Sequence, residues 1–74
     1  MSSPYCVILV SSTSYAIRGE QILNRAGVAC KLIPVPRHLS SDCGVCLRIA
    51  REDRQVALRA LEAAHVVPEA VCDL

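Results

Sequence analysis

Residues 5–10, YCVILV, form an unbroken apolar run rich in β-branched side chains, the pattern of a central strand covered on both faces. The polar cluster SSTS at 11–14 ends it and offers several N-caps for a helix over about residues 14–26. That helix is expected to place Ala16, Ile17, Leu23 and Ala26 on or near one face and to stop at Gly27. A second strand, VACKLI, is predicted over residues 28–33, and Pro34 and Pro36 assign it to an edge. A loop follows over residues 35–42. Val45, Leu47 and Ile49 then alternate with Cys46 and Arg48, the period of two that marks a strand with unlike faces. A second helix is predicted over residues 51–64, with Glu52 and Asp53 in its first turn and Ala57, Ala60, Leu61 and Ala64 along one side. The chain closes on HVVPEAVCDL, where Pro68 favours another edge strand.

This order, β-α-β-β-α-β, predicts an α+β ferredoxin-like sandwich: a four-stranded antiparallel sheet with two helices on one face. Right-handed crossovers put the first and third strands in the middle. No linker or repeat divides residues 1–74, so one domain is expected. In this topology one end of the sheet collects residues 11–14, Arg37, His38, Asp42, Cys43 and His65.

Composition sharpens the picture. A chain of 74 residues buries only about 60% of its unfolded surface, so its core must be dense. Hydrophobic residues make up 53%, which leaves apolar surface for a partner and makes a homo-oligomer the expectation. Two tyrosines are the only aromatic residues, which argues against base-stacking, and a net charge of +1 from scattered basic residues argues against a nucleic-acid or anionic membrane partner. No apolar stretch reaches the roughly 18–20 residues that span a bilayer, and the N-terminus lacks the basic opening of a secretory signal. A cytoplasmic protein is expected, and its five cysteines, an odd number, are read as reduced.

Cys6, Cys30 and Cys72 fall in predicted strands and read as small core hydrophobes. Cys43 and Cys46 form a C-x-x-C pair, which alone supplies two of the four ligands of a tetrahedral metal site. No metal is expected unless two chains share one. In a strand, positions i and i+3 face opposite ways about 10 Å apart, beyond the roughly 7 Å reach of a disulfide, unless Gly44 introduces a bulge. Cys43 is left as the candidate nucleophile. It shares the parity of Val45, Leu47 and Ile49, so it is expected on the helix side near the start of the first helix, where amide hydrogens and the helix dipole favour a thiolate. Gly44 permits close approach, and Cys46 is expected on the open sheet face, packing against another subunit. The same residues fit a half-buried cysteine at a strand start equally well.

Arg37 and His38 are candidates to attract an anionic sulfur species, and they fit a solvated loop as well. Asp42 also suits a turn. His65 is read as a complement to the second helix's dipole. The serine cluster must contain the helix cap.

The segments SSTSYAIRGEQIL and LIPVPRHLSSDCG resemble a family of short selenium/sulfur (Se/S) carrier protein-like chains, and the likeness extends over about residues 5–74. Ser12 and Thr13 match the family's Ser-Thr, and Ser41, Cys43 and Gly44 its Ser-x-Cys-Gly. A histidine often follows that Ser-Thr pair in the family, and Ser14 and Tyr15 stand there instead. The resemblance implies that Cys43 holds sulfur or selenium as a persulfide or perselenide, taken from a desulfurase-like donor protein and passed to an acceptor. It implies a carrier more than a turnover enzyme, with no cofactor. Two other readings compete. One is a ferredoxin-like small-ligand-binding or regulatory module in which Cys43 is incidental. The other, a metallochaperone, ranks last because serines occupy the loop where its thiols would be.

Overall fold

The computed structural model describes residues 4–39 and 44–74. Its elements are β1 (Tyr5–Leu9), α1 (Thr13–Arg25), β2 (Cys30–Pro34), β3 (Val45–Ala50), a single 3₁₀ turn (Arg51–Asp53), α2 (Arg54–Ala63) and β4 (Ala70–Asp73). The sheet is antiparallel in the order β2-β3-β1-β4. The predicted ferredoxin-like sandwich is therefore the observed one, with β1 and β3 central and the two proline-marked strands at the edges.

Alternation splits the core into two layers. Cys6, Ile8, Val10, Cys30, Leu47 and Ile49 point to the helix side and meet Ala16, Leu23, Ala57 and Leu61. Gly19 lets α1 sink onto this layer: a Cβ added there would stand 2.8 Å from Leu47 Cδ1. The buried seam of α1 accordingly runs through Ala16, Gly19 and Leu23. Ile17, expected in that seam, is 47% exposed, because one residue of helix turns a side chain about 100° away. Ala26 is also outside the core, exposed as the C-cap.

The opposite face is covered as well. Val7 and Cys46 are fully buried and Leu9 is 4% exposed, packed with Ile33, Val35, Leu39, Ala70, Cys72 and Leu74. Cys46 does lie on the face away from the helices, but the expectation that it packs against another subunit is overturned. The connection after β2 returns across the sheet and seats Val35 and Leu39 in the layer that holds its sulfur.

Both helices end in the same way. Val28 N–H donates to the Leu23 carbonyl at 2.9 Å and Gly27 N–H to Asn24 at 3.2 Å; Val66 N–H donates to Leu61 at 2.9 Å and His65 N–H to Glu62 at 3.0 Å. These are Schellman motifs, and each packs a buried Val against a buried Leu one turn back. The first uses the residues assigned to the start of the second strand, so β2 begins at Cys30. The motif needs a left-handed residue, supplied by Gly27 at φ 82° and by His65 at φ 60°. A side chain in that region costs about 1–2 kcal/mol. His65→Gly is therefore expected to raise the unfolding free energy by about 1 kcal/mol, and Gly27→Ala to lower it by about 1 kcal/mol, both read by urea denaturation.

Candidate functional site

Ser12 is the cap drawn from the serine cluster. Its Oγ accepts from the Tyr15 N–H at 3.2 Å and its carbonyl accepts from the Ala16 N–H at 3.0 Å. The amides of Thr13 and Ser14 precede that first intrahelical bond, and no acidic side chain in the first turn opposes the positive end of the helix. Gly44 stands at the head of β3. Its carbonyl accepts from the Val35 N–H at 3.3 Å, and a Cβ added to it meets nothing within 4 Å. The Ile8–Leu47 pair sets Val10 level with Val45, so Ser11 and Gly44 leave the sheet on adjacent strands. The start of α1 and the head of β3 thus share one end of the molecule.

Cys43 and Asp42 lie outside the described residues; the structure supplies the frame around them. Leu39 N–H donates to the Pro36 carbonyl at 2.9 Å, closing a turn that exposes Arg37 and His38. Val35 and Leu39 anchor this turn on the sheet face away from α1. The structure therefore brings Ser12, Thr13 and Gly44 to one end and holds Arg37 and His38 on a turn rooted in the other layer.

One cation joins this end without a signal in the sequence. Arg18 Nη2 donates to the Ala64 carbonyl at 3.3 Å, and Ala64 is the C-cap of α2. The bond sets a guanidinium on the negative end of one helix within two turns of the positive end of the other. Its partner lies 46 residues away in the chain, which sequence periodicity does not reveal. His65 serves here as the left-handed residue that ends α2.

The remaining thiols have distinct surroundings. Burial pushes the Cys30 thiol up to about 12, with the Glu20 carboxylate adding to the rise. Burial also raises Cys6, assisted by Asp73 and opposed by Arg54 and Arg51. Both are held as thiols at neutral pH, the form that is a poor nucleophile. Cys46 is fully buried between the sheet and the returning loop, and Cys72 is half-buried on the edge strand β4.

Among the described residues, no three His, Cys, Asp or Glu side chains are grouped as a metal site requires. No helix among them is long and apolar enough to cross a membrane. No curated protein and no solved structure matches the chain. A family model does, over nearly its whole length. The chain belongs to the family described as "Putative Se/S carrier protein-like", whose model it matches over residues 5–73.

Proposed function

We propose that this chain carries sulfur or selenium on Cys43, as a persulfide or perselenide, between a desulfurase-like donor and an acceptor protein. The observation that carries the reading is the seclusion of three of the four strand thiols, Cys72 on the edge strand being half-buried. Cys6 and Cys46 are fully buried and Cys30 is 8% exposed, so none of the three offers its sulfur to another macromolecule. Gly44, which follows Cys43 in the sequence, has open space above it and stands at the end of the molecule where α1 begins. A bound chalcogen there would carry negative charge, which the start of α1, with no acidic side chain in its first turn, and the Arg18 guanidinium at the same end of the molecule would favour. Exposed Tyr15 and Ile17 on the first turns of α1 supply apolar surface for docking.

Loading is an exchange at the outer sulfur of the donor persulfide. The Cys43 thiolate attacks that sulfur, the donor's S–S bond breaks as the new one forms, and the donor cysteine leaves as a thiolate. An acceptor thiolate then repeats the exchange on Cys43. No electrons are gained or lost overall and no cofactor is required. Incubation with a cysteine desulfurase and sulfur-labelled cysteine is expected to label the wild type, Cys46→Ser and Cys72→Ser alike, and to leave Cys43→Ser unlabelled. Label retained in Cys43→Ser would refute the assignment. No label in any variant would favour the ligand-binding module.

A further inference from the structure

The far end of the sheet sets two cations side by side. Lys31 and Arg48 are directly opposed across β2 and β3, and Arg48 is opposed in turn to Val7, on the face away from the helices. Like charges facing each other on antiparallel strands repel. Neither side chain makes a hydrogen bond or ion pair with another described residue. The Arg48 guanidinium lies 4.3 Å from the centroid of the Tyr5 ring, which braces it by one flat face and leaves its N–H edge for an acceptor. Of the acids nearby, Asp73 pairs with Arg51 at 3.3 Å and Arg54 at 3.7 Å, while Glu20 stands on the helix layer, close enough to raise the Cys30 thiol. At this end of the sheet a depression of about 330 Å³ runs from Tyr5, Lys31 and Arg48 round to Asn24, Cys30 and Ile49 on the helix side. That is the lower end of the range for small-molecule sites.

We propose that this depression binds the oxyanion group, phosphate or carboxylate, of a small ligand, with Lys31 and Arg48 as its partners. The two cations are placed as a pair that an anion would bridge, and the bound anion would remove the repulsion between them. The site is independent of Cys43 and lies at the opposite end of the strands.

The test is a magnetic-resonance titration of the isotope-labelled chain with inorganic phosphate and, separately, citrate, each at constant ionic strength against chloride. Saturable shifts centred on Tyr5, Asn24, Lys31 and Arg48 are expected with at least one of them. Response to phosphate alone assigns a phosphorylated ligand; response to citrate alone assigns a carboxylate. Lys31→Gln and Arg48→Gln, whose fold is checked by unchanged shifts in α2 and β4, are expected to weaken binding about tenfold each. Shifts no larger than those of chloride, or glutamine variants that titrate like the wild type, would overturn the proposal.

Discussion

Leu47→Ala is expected to lower the free energy of unfolding by about 2–5 kcal/mol, the range for truncating a fully buried leucine. Leu47 has no exposed surface and sits on central strand β3, paired with Ile8 on one side and Leu32 on the other. Its Cδ1 occupies the space that the missing side chain of Gly19 leaves against α1. A folded chain of 74 residues has a total stability of about 4–11 kcal/mol at the usual 0.05–0.15 kcal/mol per residue. The loss is a large fraction of that, and it is read as a lower midpoint in urea at unchanged slope. Gly19→Ala identifies the contact. With Leu47 present, the added methyl meets Cδ1 at 2.8 Å, which offsets the gain of about 1 kcal/mol from replacing glycine in a helix. With Leu47→Ala the obstruction is gone, and the same change is expected to stabilise. Additive effects of the two substitutions would show that the contact carries no energy.

Native-state alkylation is expected to separate the thiols by at least about a thousandfold in rate, the factor set by an opening free energy of about 4 kcal/mol. Cys6 and Cys46 lie in the two central strands with no exposed surface, so a reagent reaches them only when the sheet opens. Cys30 adds a chemical barrier: with its thiol pushed up to about 12, about one molecule in ten thousand is thiolate at pH 8. Cys43, as the proposed carrier, is expected to react at the rate of an open thiol, and Cys72, half-buried on an edge strand, to fall between. Cys30 also ties its proton to stability. Its folded value is raised above 9.0, so its contribution is fully present below pH 9 and is lost as pH rises through the folded value near 12. Rapid alkylation of Cys46 in the folded chain would show that Val35 and Leu39 do not close the layer above it.

The strands and helices were legible because each rests on local periodicity, and the strand order with its central pair followed from their succession through the right-handed crossover rule. Alternation through Val45, Leu47 and Ile49 gave β3 its faces, and Pro34 and Pro68 marked the edges. What periodicity lacks is the third dimension. It places Cys46 on the face away from the helices, yet it contains nothing about a loop that turns back and sets Val35 and Leu39 in that layer. It counts Ile17 as apolar and passes over Gly19, although the glycine is where α1 touches the sheet. His65 reads as a cation near a helix end, whereas its backbone in the left-handed region does the structural work. For the candidate site, the serine cap was readable from helix-capping chemistry, and Gly44 only as a residue that permits close approach. Arg18 was not, because only the packing of the two helices brings it to Ala64.

The central claim is that one thiol, Cys43, holds the chalcogen. The most direct measurement is peptide-level mass spectrometry of the folded wild-type chain after loading by a cysteine desulfurase, with thiols blocked before digestion. The account predicts one added sulfur on the peptide that contains Cys43 and Cys46, assigned to Cys43 by fragment ions that separate the two and removed by a reductant. An added sulfur on a peptide containing Cys6, Cys30 or Cys72, or a Cys43–Cys46 disulfide in its place, would contradict it.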